Sequence, residues 1–297
     1  MWRWRPSRHT FKLSLAAITL AVAAGVLASW IVADRMTQAS PALVGQAPAD
    51  FLAERVEFLS ESGAKLVGWY QRGKSARGVV VFAHGIRGNR KQSLPRARLI
   101  AEAGYSTLLF DLRAHGESSG DRITFGKLES LDVKAAVELA REMNPHEPIG
   151  VVGFSLGGAA IALAAPLEVD AVVLEATFPT IDAAIHNRTS RRLGLLAPIA
   201  DTALRLQLKP RLGISPAELR PIDTITKFGC PLMIVGGKLD HQTTPEDTRR
   251  LFNAAQEPKE LVWFDDLGHT NYARRAPEEY RATVVDFLVR HLLTAVR

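Results

Sequence analysis

IGVVGFSLGG, residues 149–158, joins two patterns with no spacer between them. Ile149–Phe154 is a short apolar run that reads as a buried strand, and Leu156–Ala165 is a small-residue stretch that reads as a helix. A strand that turns directly into a helix forces the residue at the corner into a strained backbone. Gly153 and Gly157 stand two before and two after Ser155, where side chains would collide. The Ser155 hydroxyl is then expected to face outward with helix N-terminal amides aimed at it. An ordinary N-cap serine is the competing reading, and partners elsewhere in the chain decide between them.

Outward from this stretch, apolar runs alternate with helix-like segments. Strands are expected at 78–83, 106–111, 171–175, 231–236 and 260–264, and helices at 94–103, 127–143, 246–256 and 278–293. An antiparallel hairpin over 56–71 precedes them. Continuous apolar strands separated by helices predict a mostly parallel sheet covered on both faces. Residues 180–229 break the rhythm. A structureless loop of that length is uncommon, so a helical cap insertion is expected there. It holds eight basic and four acidic residues, with an apolar set from Leu193 to Leu206. It reads as a cap over the sheet, or a lid that lines an acyl pocket or dips toward anionic lipid.

A serine hydroxyl is a weak nucleophile and needs a base and an orienting acid. Asp240, just past the strand at 231–236, and His269, just past the strand at 260–264, follow Ser155 in the order Ser–Asp–His. Both fall at carboxyl ends of strands, the edge where open α/β sheets bind ligands. His241 is the only rival base. Glu175, also at a strand end, remains an alternative acid, whereas Asp265 and Asp266 lie too near His269 in the chain. Asp111, Arg113 and Ser118 read as a structural turn, Cys230 as a buried small side chain, and Arg87 as a solvated loop arginine.

With AHGIRGN at 83–89, FDLRAHGES at 110–118, GGKLD at 236–240 and GH at 268–269, the chain from Glu54 onward resembles the α/β-hydrolase superfamily. Within it, the resemblance is to compact serine hydrolases of the serine-aminopeptidase-like and monoacylglycerol-lipase-like group. Residues 180–229 match no named cap. The resemblance implies a Ser155–His269–Asp240 triad and an oxyanion hole from the backbone N–H groups of Ile86 and Leu156. Gly153, Gly157, His84 and Gly85 would support them. It implies hydrolysis of a carboxylic ester or thioester through an acyl-enzyme. Peptide or amide cleavage, or a non-catalytic binding module on the same fold, are the alternatives. The substrate would be a small acyl ester or thioester, or a lipid, and the protein a monomer. Serine at the corner disfavours branches that need aspartate there.

The chain has 297 residues, 47% hydrophobic and 23% charged, which excludes a disordered or fibrous protein. One cysteine excludes an internal disulfide framework and a multi-cysteine metal site. No metal, nucleotide or flavin signature appears, so no cofactor is expected. Lys plus Arg at 37 against Asp plus Glu at 31 gives +6. Arg3, Arg5, Arg8 and Lys12 supply +4 of it and leave +2 for residues 13–297, which argues against a nucleic-acid partner.

Residues 1–12 thus form a basic N-terminus, expected to be cytoplasmic. Leu13–Ala33 carries no charge over 21 residues, about 31 Å as a helix, and reads as a transmembrane signal anchor with Trp2, Trp4 and Trp30 at its interfaces. No arginine pair marks a twin-arginine signal. Residues 34–53 read as a linker to a hydrolase domain over 54–297. The positive-inside rule puts that domain on the outer, periplasmic or extracellular side. Cleavage of the segment as a signal peptide is the alternative.

Overall fold

A computed structural model describes residues 8–74 and 77–294. Helix α1 (Arg8–Thr37) is followed by the two-residue strand β1 (Ser40–Pro41), and the hairpin of β2 (Glu54–Leu59) and β3 (Lys65–Gln71) comes next. Then come β4 (Val79–Ala83), α2 (Leu94–Glu102), β5 (Ser106–Phe110), the short β6 (His115–Gly116), α3 (Glu129–Met143), β7 (Ile149–Phe154), α4 (Leu156–Ala164) and β8 (Ala171–Glu175). The insertion holds α5 (Ile181–Leu193), α6 (Ala197–Arg205), α7 (Leu208–Leu212) and α8 (Pro221–Thr224). The chain closes with β9 (Leu232–Gly237), α9 (Pro245–Ala254), β10 (Lys259–Phe264), α10 (Tyr272–Arg275), α11 (Pro277–Tyr280) and α12 (Asp286–Thr294).

The main sheet runs β10-β9-β8-β7-β4-β5-β3-β2. Six strands from β10 to β5 are parallel, and β3 and β2 add an antiparallel edge. Strand alternation sets the two faces. In β4, Val79, Val81 and Ala83 join α3, α4 and α9 on one side, whereas Val80 and Phe82 join α2 and α12 on the other. Both faces are buried, which is why these strands read as unbroken apolar runs rather than alternating ones. The expected strands and helices lie where periodicity placed them, within two or three residues at their ends. The insertion is helical, with its own small core of Phe178, Ile181, Ala184, Leu208 and Leu219 seated on Ala159 of α4.

The N-terminal expectations need correction. Residues 1–7 of the basic segment lie outside the described residues. Among the described residues, no helix is long and apolar enough to cross a membrane, so the transmembrane reading of 13–33 is unsupported. The carboxyl end of α1 is a docked part of the domain. Arg211 of α7 lies 3.9 Å over the Trp30 ring, donates to Trp30 O at 2.7 Å, and pairs with Asp34 at 3.0 Å. Arg122 binds Asp34 from another side at 2.9 Å, and Ala33 and Thr37 are buried. The stretch expected as a linker is a packed strap: the helix continues to Thr37, β1 pairs with β6, and Val44 and Phe51 are buried.

Candidate active site

Ser155 sits at the corner between β7 and α4 with φ +53° and ψ −109°, a conformation that costs a non-glycine residue energy. Its N–H donates to Glu175 O at 2.8 Å. The flanking glycines are needed for close approach. A Cβ on Gly153 would fall 2.6 Å from the Gly157 carbonyl carbon, and one on Gly157 would fall 2.2 Å from Ala83 O. The corner therefore packs directly on the loop after β4.

The three residues ordered by the sequence meet here. His269 Nδ1 lies 2.8 Å from Asp240 Oδ2, and its Nε2 lies 3.1 Å from Ser155 Oγ. A carboxylate only accepts hydrogen bonds, so Nδ1 carries the proton and the Nε2 lone pair faces the serine hydroxyl. The other Asp240 oxygen accepts from the Gln242 N–H at 2.7 Å and the Thr243 N–H at 3.0 Å. The loop after β9 is thus wrapped around its own carboxylate, and Thr243 Oγ1 ties it to Ala176 O. Ser155 and Asp240 are buried and the His269 side chain is 12% exposed, so the chain of hydrogen bonds is screened from water.

Glu175 is not free to face the histidine. Its Oε2 accepts from Arg96 Nε at 2.8 Å and from Nη2, and its Oε1 accepts from the Tyr280 hydroxyl at 2.6 Å. Burial opposes the Arg96 charge, yet Glu175 and the neighbouring tyrosines raise its pKa above the usual value. Burial, then Glu175, pushes the Tyr280 phenol far above its ordinary range. This closed cluster buttresses the site. Arg96 lies 5.1 Å over the Phe154 ring, and Phe154 lies 5.1 Å from the His269 ring.

In the loop after β4, His84 is fully buried. Its Nδ1 donates to Gly85 O at 2.8 Å and its Nε2 accepts from the Leu112 N–H at 3.0 Å. Burial, with His115 close by, pushes its pKa down to about 3, so it stays neutral and structural. Gly85 N–H donates to Gln92 Oε1 at 2.7 Å. Among the described residues the Ile86 N–H has no partner, and Leu156 is the first residue of α4, where amides lack intrahelical acceptors. Ile86 packs against the core cluster that contains Leu156, so the elements carrying both amides adjoin.

The remaining candidates lie elsewhere. His241 is exposed, Asp265 pairs with Lys238, and His186 pairs with Asp201 in the cap. Asp111 is engaged by Arg90, Glu117 N–H and its own turn. Burial pushes the Cys230 thiol up to about 11. Among the described residues, no cluster of histidine, cysteine and carboxylate side chains suits a metal ion.

Sequence reasoning missed the Phe154 shelf, the Arg96–Glu175–Tyr280 cluster and the contacts of α5 with the acid loop. Phe154 occupies a variable position of the corner motif, and the others are pairs distant in the chain, so no local pattern marked them.

A family model described as Serine aminopeptidase, S33 matches residues 74–221. The uncharacterized protein YfhR of Escherichia coli is 28% identical over 257 residues, covering 82% of this chain and 84% of its own. The Pyrococcus furiosus esterase Pf2001 superposes with a TM-score of 0.71 at 24% identity, covering 86% of this chain and 98% of that one. An acylaminoacyl peptidase from Pyrococcus horikoshii superposes at 0.62 with 18% identity, over 82% of this chain and 42% of that one. With the parallel sheet, the strained serine corner and the matched segment in agreement, the chain is a member of the α/β-hydrolase superfamily.

Proposed function

We propose that the protein is a serine hydrolase that opens a carboxylic ester or thioester through an acyl-enzyme intermediate. The observation that carries this reading is the unbroken hydrogen-bonded chain from Asp240 through His269 to a strained Ser155. Ser155 Oγ attacks the substrate carbonyl while His269 Nε2 takes its proton. The imidazolium is stabilised by Asp240 and then protonates the leaving group. The Ile86 and Leu156 amides receive the oxyanion, each worth about 3–4 kcal/mol of barrier by analogy with single-donor deletions. Water, deprotonated by His269, then attacks the acyl carbon and releases Ser155.

Amide cleavage on the same triad is the second reading, favoured by the description of the matching family model. An aminopeptidase must also seat an α-ammonium group, for which a free carboxylate is the natural partner. The acidic side chains of the cap are engaged: Asp182 with Arg205, Asp201 with His186, Glu218 with Lys127 and Asp223 with Arg220. Where α5 meets the acid loop it presents the cation Arg188 rather than a carboxylate, which favours an ester or thioester over a substrate with an α-ammonium group.

Fluorophosphonate labelling of the full chain beside Ser155→Ala tests the reading, followed by an ester and thioester panel and an aminoacyl anilide. Labelling and ester turnover that both vanish in Ser155→Ala are expected. A folded wild type that neither labels nor turns over any member would refute it.

A further inference from the structure

Helix α5 is pinned to the acid loop by its middle residues. Asn187 Nδ2 donates to Gln242 O at 3.1 Å and to Asp247 Oδ2 at 2.6 Å. The next residue, Arg188, lies against the same loop and donates Nη1 to Ala184 O at 2.7 Å and Nη2 to Gln242 Oε1 at 3.1 Å. Both acceptors are neutral. A guanidinium has five N–H donors, so most of them are open, and among the described residues Arg188 forms no ion pair. Its surroundings make this costly. Burial and Arg192 oppose its charge, and only Asp240 supports it. Asp240 is already committed to His269 and two backbone amides, and Asp247 is held by Asn187 and Arg250.

Arg191 and Arg192 extend the basic face one turn on, exposed and without an ion pair among the described residues. Asn187, Ser190, Arg191, His241 and Thr244 line a cavity of about 420 Å³ beside the loop that begins at Asp240. A half-buried arginine with open donors, next to a basic cavity and one loop from the triad acid, lacks a counter-ion of its own.

We propose that Arg188, with Arg191 on the cavity wall, binds an anionic group, a carboxylate or a phosphate, carried by the substrate opened at Ser155. The inference rests on the hydrolase reading above and narrows its substrate class to charged acyl compounds. Guanidinium groups bind either oxyanion through paired N–H donors, so the two sources share one recognition chemistry.

The test uses matched substrate pairs on the full chain. 4-Nitrophenyl butanoate is compared with mono-4-nitrophenyl glutarate, which adds a carboxylate on the acyl side. The butanoyl thioester of pantetheine is compared with that of 4′-phosphopantetheine, which adds only a phosphate on the leaving group. In one pair the charged member should show a kcat/KM about tenfold or more above the neutral one, the size of one charge-assisted contact. Arg188→Gln should cut that ratio about tenfold, Arg191→Gln should cut it less, and Arg188→Lys, which keeps the charge but loses the paired donors, should fall between wild type and Arg188→Gln. A purely structural role for Arg188 would scale both members together and leave the ratio fixed. Neutral substrates turned over with no charge preference in either pair, or a preference that survives Arg188→Gln, would overturn the anion site and leave the hydrolase reading standing. A wild type that opens no member of either pair would overturn both.

Discussion

Asp240 and Glu175 are two buried carboxylates at the ends of adjacent parallel strands, and their isosteric amides should fail in opposite ways. Asp240→Asn keeps an oxygen for the Gln242 and Thr243 amides, so the stability cost should be about 1–2 kcal/mol, the worth of one altered buried hydrogen bond. Its new NH₂ group, facing His269 Nδ1, drives the ring to the other tautomer and leaves Nε2 protonated toward Ser155. A loss of about 10⁴ in kcat is expected, as for wrong-tautomer triads. Glu175→Gln spares the triad but leaves the Arg96 guanidinium, 2% exposed, as a buried cation without its anion. Breaking one side of a buried pair costs about 3–5 kcal/mol. In a domain of this size that lowers Tm by about 6–20 °C. Chemical denaturation and steady-state kinetics on the same preparations give both axes. A cycle with Arg96→Met, Glu175→Met and the double variant should show the double less destabilised than the sum of the singles. The reasoning is refuted if Glu175→Gln loses activity at near-wild-type stability while Asp240→Asn stays active, because the carboxylates would then have exchanged roles.

His84 gives a pH prediction. Its folded pKa is pushed down to about 3 by burial, so between ordinary histidine values and pH 3 the unfolded chain binds a proton that the folded one does not. Stability should fall as pH drops through that window, by up to about 1.4 kcal/mol per pH unit from this residue, and His84→Asn should remove that part of the slope in denaturation curves from pH 6 to 4. Gly157→Ala should cost about 3 kcal/mol or more and abolish fluorophosphonate labelling, since its Cβ would press on backbone at Ala83 rather than on a side chain that can move. A labelled, stable Gly157→Ala would mean the corner relaxes away from the β4 loop.

The sheet was legible because its signal is local. Each parallel strand is buried on both faces and therefore spells itself as an apolar run, and each covering helix repeats at its own period. Ser155, Asp240 and His269 were legible for a related reason. Parallel topology puts the loops after β7, β9 and β10 at one sheet edge, so chain order alone brings them near each other. Glu175 shares that edge, which is why the acid stayed open in the sequence. What separates it from Asp240 is a pairing with Arg96 and Tyr280, 79 and 105 residues away.

The same limit explains the carboxyl end of α1. A hydropathy reading sees Trp30 and Asp34 as the margin of an apolar segment. In the fold, Arg211 lies over one face of the Trp30 ring and the Asp34 carboxylate is held below the usual range, first by its hydrogen bond to Arg122. Those partners lie 88 and more residues downstream and are invisible to any window. Their placement has a consequence for the insertion. Its α7 end is fixed to α1 through Gln207–Ser29 and Arg211–Asp34, while its α5 end is fixed to the acid loop through Asn187 and Arg188. Besides the Glu218–Lys127 pair, the cap is thus held by side-chain pairs at the N-terminal helix and at the loop that carries Asp240. Loosening the first should shift how α5 lies against the second, because the small apolar core of Ile181, Ala184 and Leu208 couples α5 to α7.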